Sequence, residues 1–146
     1  MMEVETKAYG RIEVDERQRI TFPKGLYGFE PYVDWILLDA RQRPFYWLQS
    51  KDDARIAFVL INPYLFRHDY VLNIPEDDLV EIGTPEESDI LVFSIVTIPE
   101  NYAEITANLQ GPLVINRKQR IGKQCISLDP RWETKHPIVR EMARNA

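Results

Sequence analysis

A glycine–proline pair, Gly111-Pro112, stands directly in front of the run Leu113-Val114-Ile115, and few folds accommodate that order. Proline has no N–H to give to a ladder and fixes φ, so it does not sit in the middle of a central strand. The β-branched run behind it has the composition of a buried strand. The chain therefore bends or bulges at Gly111 and enters the strand at Pro112. Asn108 and Asn116 bracket the stretch, where their amides can bond backbone groups that a turn leaves unpaired. Prolines punctuate the rest of the chain in the same way: Pro23, Pro63, Pro99 and Pro130 each follow an apolar run and end it.

Between these stops the apolar residues fall into many short segments. Val4, Thr6 and Ala8 alternate with Glu3, Glu5, Lys7 and Tyr9, a period of two that describes a strand with one wet face. Residues 12–14 continue it beyond Gly10-Arg11, and 19–22 supply the next strand. Gly25 and Gly28 mark a compact corner, and at least one of them requires a positive φ. Residues 34–39, 44–50, 56–61, 70–74 and 90–98 read as further strands, and several carry large apolar groups on both faces. Residues 120–128 pair back on 113–115. Helix is scarce. Pro75 suits the first helical position of a brief helix over 75–82, with acids crowding its positive end. Thr84 would cap a second short turn over 84–89.

Short strands, frequent turns and little helix predict an all-β, mainly antiparallel chain. Strands apolar on both faces favour a small closed or partly closed β-barrel-like single domain, with one or two short helices, over an open sheet. The barrel-like domain is expected over residues 1–129. Residues 130–146 are expected to be a tail or a short helix beginning at Pro137, packed on the barrel or extending from it, with Trp132 and Ile138-Val139 as anchors.

The 146 residues suit one domain, and a hydrophobic fraction of 45% is enough for a core without disulfides. Cys125 is the only cysteine, so no internal disulfide can form. The first residues, Met1-Met2-Glu3-Val4-Glu5, lack the basic and apolar regions of a secretory signal, and no apolar run is long enough to span a membrane. The expected home is the cytoplasm, with no membrane association and a monomeric state. The net charge of −5 argues against direct contact with nucleic acid, which usually needs a basic footprint. No glycine pattern forms a phosphate cradle.

A search for reaction chemistry finds none. The two histidines, His68 and His136, have no cysteine at ligand spacing, so neither a metal nor a cofactor is expected. Cys125 lies between apolar neighbours, where an inert buried thiol is the common case. Asp52-Asp53 and Asp77-Asp78 are adjacent pairs whose side chains point apart, as solvated turns and helix starts require. The chain is therefore not expected to be an enzyme. Asn62, Asn108, Gln110 and Asn116 are assigned to architecture. What remains is surface: residues 76–89 carry seven acids and no base. A solvated face is the ordinary origin of such a run. The functional reading is a docking patch for a basic protein, with Glu76, Asp77, Asp78, Glu86, Glu87 and Asp89 as candidate partner-binding residues.

Four stretches taken together resemble one family. They are Gly25-Leu26-Tyr27-Gly28-Phe29-Glu30, Pro44-Phe45-Tyr46-Trp47-Leu48-Gln49-Ser50, Ala57-Phe58-Val59-Leu60-Ile61-Asn62-Pro63, and Asn108-Leu109-Gln110-Gly111-Pro112-Leu113-Val114-Ile115-Asn116 followed by Gly122-Lys123-Gln124. In this order they look like the flagellar assembly factor FliW family. The last stretch is the most specific, and the likeness runs to about Asp129. The resemblance implies a small cytoplasmic bacterial protein with a β-barrel-like fold and no catalysis. It implies two alternating partners: flagellin, bound before export like a chaperone's client, and CsrA, the RNA-binding translational repressor whose block on flagellin messenger RNA is relieved. CsrA must hold phosphates and so should be basic, which suits an acidic antagonist. Flagellin termini are amphipathic, so a groove with exposed apolar groups is the expected second surface.

A reading from another class is a small barrel that binds oligonucleotides through a basic groove with exposed aromatics. The acidic balance opposes it. A filter-binding assay with single-stranded RNA is expected to show no retention at physiological salt; salt-sensitive retention would favour the nucleic-acid reading.

Overall fold

Local sequence places the elements much where the proline stops put them. In the computed structural model, which describes residues 1–144, β1 (Met2–Thr6) and β2 (Gly10–Val14) form an antiparallel hairpin with Val4 opposite Ile12. There follow β3 (Arg19–Thr21), β4 (Asp34–Asp39), β5 (Tyr46–Ser50) and β6 (Ala57–Ile61). Helix α1 (Glu76–Glu81) precedes β7 (Ile90–Thr97), the longest strand. The chain closes with β8 (Thr106–Ala107), β9 (Leu113–Asn116), β10 (Ile121–Gln124), β11 (His136–Pro137) and α2 (Val139–Arg144).

Neighbouring strands run β7-β6-β5-β4-β3-β10-β9, and β9 pairs back on β7, so these seven close into a barrel. Every pairing in it is antiparallel except the contact of β10 with β3, which is parallel at Ile121 and Thr21. The expected all-β barrel with two short helices is what the chain forms. β8 and then β11 extend the sheet from the end of β7.

Closure explains the strands that are apolar on both faces. In β4, Trp35 and Leu37 turn into the barrel with Phe22, Leu48, Leu60, Phe93 and Leu113, while Ile36 and Leu38 pack outward against Val4 and Val14 of the hairpin. In β7, Phe93 and Ile95 point in, while Val92 and Val96 meet Phe66, Tyr70, Leu109, Trp132 and Ile138. Val114 of β9 lies under Ile82, just beyond α1. Three separate covers thus hide the outer faces, each joining residues far apart in the chain. The hairpin is also fastened by a buried amide: the Lys7 N–H donates to Gln49 Oε1 at 2.9 Å.

Two features differ from the sequence reading. Residues 70–74 join no ladder, although Tyr70 and Leu72 are packed against the body. No strand lies beside them to supply partners. Pro75 occupies the N-cap of α1 rather than the first helical position, and Glu86 rather than Thr84 caps the turn that follows. The segment from residue 130 packs on the barrel: Trp132 and Ile138 are buried, β11 pairs with β8, the Glu133 carbonyl accepts from Leu109 N–H at 3.0 Å, and its helix starts at Val139. The last two residues of that segment lie outside the described ones.

The amides around Gly111 carry the turns. Gly111 N–H donates to Asn108 Oδ1 at 2.8 Å. Asn116, 2% exposed, donates from Nδ2 to the Ile82 carbonyl at 2.8 Å and accepts from the N–H groups of Lys118 and Gln119 at 3.1 Å. One side chain therefore ties the end of α1 to the β9–β10 turn. Asn116→Ala removes three bonds and strands buried backbone groups. At about 1 kcal/mol each it is expected to lower the unfolding free energy by about 2–3 kcal/mol in urea titration. A change below about 0.5 kcal/mol would mean the turn holds without it.

Candidate interaction surface

The six acids selected from the sequence part into two groups in space. Asp78 and Asp89 are held inside the molecule. Lys123 Nζ, on β10, donates to Asp78 Oδ1 at 2.6 Å and also to Glu81, which pairs in addition with Lys24. Burial by itself would push the Lys123 ammonium down, but its bonds to Asp78 and Glu81 outweigh this and hold it above the usual lysine range. The same bonds from Lys123 and Lys24 hold Glu81 below the usual carboxylate range. This network staples α1 to the barrel. Asp89 is 5% exposed and is met by Arg117 Nη2 at 2.6 Å and Lys118 Nζ at 3.4 Å. The hydrogen bond from Arg117 keeps its carboxyl below the ordinary value. Its backbone carbonyl accepts from Arg117 N–H at 2.8 Å.

Glu76, Asp77, Glu86 and Glu87 form the second group. All four are exposed, and none is in an ion pair among the described residues. The cations that neutralise the first group come from residues 24, 117, 118 and 123, remote in sequence, so no local spacing distinguishes the two groups. One of them, Glu87, lines an apolar groove of about 780 Å³ together with Tyr64, Leu72, Ile74 and Pro85; Glu86 is its neighbour in the chain, and Glu76 and Asp77 follow shortly after Ile74. Sequence reasoning missed this groove. The apolar alternation of residues 70–74 was its signal, but it was read as one more strand.

A second groove, of about 390 Å³, opens at an end of the barrel between Tyr27, Phe58, Thr97, Asn108 and Ile126. Its floor is the Gly111 turn. Gln124 Oε1 accepts from Tyr27 N–H at 3.0 Å, and Gln124 Nε2 donates to the Gly111 carbonyl at 3.2 Å. The stretch that most resembles a known family is thus both a structural corner and the wall of a surface cleft. Tyr27 stands 59% exposed beside it.

Cys125 is buried, and burial pushes its thiol up to about 12. Among the described residues no three His, Cys, Asp or Glu side chains converge to hold a metal ion. His136 Nε2 lies 3.0 Å from Glu141 Oε1 and its ring stacks on Phe66, a packed arrangement at the end of β8. No helix among them is long and apolar enough to cross a membrane.

The closed seven-stranded barrel with its outer covers belongs to the class of small β-barrel proteins, and it has a close counterpart among solved structures. The crystal structure of the flagellar assembly factor FliW superposes with a TM-score of 0.86 at 33% identity, over 94% of this chain and 96% of that one. The sequence family described as FliW protein matches residues 3–138. The flagellar assembly factor FliW of Treponema denticola is 46% identical, over 97% of this chain and 96% of its own length. That of Treponema pallidum is 47% identical, over 97% and 95%. This chain belongs to the FliW family of flagellar assembly factors.

The buried thiol makes a direct prediction. With Cys125 near 12, the thiolate fraction at pH 8 is roughly a thousandfold smaller than that of an unperturbed cysteine. Alkylation of the folded protein by iodoacetamide is expected to be slower than that of the urea-unfolded chain by at least that factor. Equal rates would place the thiol at the surface.

Proposed function

We propose that this protein is a partner-switching module of the cytoplasm: it binds flagellin before export and, when free of it, captures CsrA and so restores flagellin synthesis. The observation that carries the reading is the set of four exposed, uncompensated acids, Glu76, Asp77, Glu86 and Glu87, on the segment that also gives an apolar groove its Pro85 and Glu87 walls. An RNA-binding repressor presents a basic face, and unpaired carboxylates around an apolar centre are what such a face would meet. Asp78 and Asp89 serve the acidic patch indirectly. Their internal ion pairs hold α1 and the turn after it in place.

The groove beside the Gly111 turn suits the other partner. Tyr27, Phe58 and Ile126 offer apolar contact, while Asn108 and Gln110 supply amides at its wall, a combination that fits an amphipathic segment of flagellin. Two separate grooves would let one partner's occupancy be felt by the other through the shared barrel. Nothing in this function asks for bond-making chemistry.

Replacing Glu76, Asp77, Glu86 and Glu87 together by Ala is expected to weaken CsrA binding by about tenfold to a hundredfold at low salt and to flatten its salt dependence, with thermal stability retained. Calorimetry at two ionic strengths reads both effects. Unchanged affinity would remove the acidic rim from the interface. Asp78→Ala is the contrasting variant: it should lower stability first, because it leaves Lys123 without one of its two acceptors.

A further inference from the structure

Residues 70–74 read as a strand, yet no strand pairs with them. Their burial nonetheless alternates. Tyr70 is 2% exposed and Val71 62%; Leu72 is half-buried, Asn73 exposed and Ile74 half-buried. That period of two is the signature of extended backbone with one face on the core. Leu72 and Ile74 pack toward Ile82, Val114 and Cys125.

The hydrogen bonds of this segment are incomplete. The Asn73 carbonyl accepts from Leu128 N–H at 2.8 Å. Among the described residues, the N–H groups of Val71, Leu72, Asn73 and Ile74 find no acceptor, and the carbonyls of Val71, Leu72 and Ile74 no donor, so the bond at Asn73 is the one that ties the backbone of residues 71–74 to a neighbour. In an extended strand the N–H and C=O of one residue point to the same edge, and successive residues alternate. The edge of Val71 and Asn73 therefore faces the loop that holds Leu128. The opposite edge, carrying Leu72 and Ile74, is an unused ladder. Folded proteins usually cover or blunt such an edge, because it invites another strand. Here residues 70–74 themselves form one wall of the 780 Å³ groove, with Tyr64, Pro85 and Glu87 among its other walls. The free acids set the charge of anything that enters.

We propose that residues 70–74 are a docking strand, which takes an extended, basic segment of a partner protein by strand addition: the Leu72–Ile74 edge supplies the backbone bonds, the groove takes alternate apolar side chains, and Glu76, Asp77, Glu86 and Glu87 meet the intervening Lys or Arg. This mode joins sequence-independent backbone affinity to a specificity set by pockets and charge. It rests on the reading of the acidic rim as a protein-contact surface and adds the backbone geometry of that contact.

The test uses the full-length protein and three synthetic heptapeptides with blocked ends. One alternates lysine with valine, one alternates glutamate with valine, and one is the lysine peptide N-methylated at every second residue to remove the ladder donors of one edge. The lysine peptide is expected to bind in fluorescence anisotropy. The N-methylated form should bind at least tenfold more weakly, since two or more backbone bonds are lost, and the glutamate form should not bind. On saturation with the lysine peptide, amide exchange at Leu72 and Ile74 should slow at least tenfold while that at Val71 is unchanged. Equal affinity for the lysine peptide and its N-methylated form, or unaltered exchange at Leu72 and Ile74, would overturn strand addition while leaving the charged rim standing. No binding of the lysine peptide would also overturn it. Failure of the rim itself is read separately: with Glu76→Gln, Asp77→Asn, Glu86→Gln and Glu87→Gln combined, unchanged lysine-peptide affinity alongside persistent protection at Leu72 would refute the role of charge and keep the strand.

Discussion

Four residue pairs between β7 and β9 make this fold possible. Ile90 faces Asn116, Leu91 faces Ile115, Val92 faces Val114 and Phe93 faces Leu113. Without them the sheet would be open, and β7 and β9 would both be edges. With them, Leu91, Phe93, Leu113 and Ile115 are sealed inside and Val92 and Val114 are turned out. A slip of one residue would exchange the two sets. Gly111-Pro112 keeps the ladder from extending further toward the turn, and Asn116, at the last pair, turns the chain into β10 by accepting the N–H groups of Lys118 and Gln119.

Closing a barrel from strands that are apolar on both faces creates a second demand, for covers. The β1–β2 hairpin covers β4 and β5. The segments around Phe66, Leu109 and Trp132 cover β6 and β7, and α1 with Ile82 covers β9. Each cover is held by polar contacts: Gln49 for the hairpin, the Tyr70 hydroxyl donating to the Leu109 carbonyl at 2.9 Å for the second, and Lys123 with Asp78 and Glu81 for α1, while Asp89 with Arg117 holds the turn before β7. Ion pairs of this kind contribute little one at a time when exposed. Their role here is placement. They set where the acidic loop sits and consume those of its carboxylates that face inward.

The surface left over is where function must lie. The covers do not meet edge to edge. Between residues 70–74 and the turn at Pro85 they leave the larger groove, and between the corner at Tyr27 and the Gly111 turn they leave the smaller one. Both grooves are by-products of how separate covers are laid over one barrel. Such seams leave the core undisturbed.

The amino-acid order determined the β class and the positions of most strands, because these follow from local periodicity and proline stops. It also determined the turn roles of Asn108 and Asn116, whose bonds to the N–H groups of Gly111, Lys118 and Gln119 are local, but not the bond from Asn116 to the distant Ile82 carbonyl. Tertiary structure decided the rest. Whether residues 70–74 would be a paired strand depended on a neighbour that the topology does not place there. Whether Asp78 and Asp89 would be free depended on Lys123 and Arg117, brought up by β10 and the turn before it. Whether residues 130–138 would be tail or core depended on the space left beside β8 for Trp132 and Ile138. In every such case the deciding partner is distant along the chain, and a one-dimensional pattern carries no term for an encounter that only folding arranges.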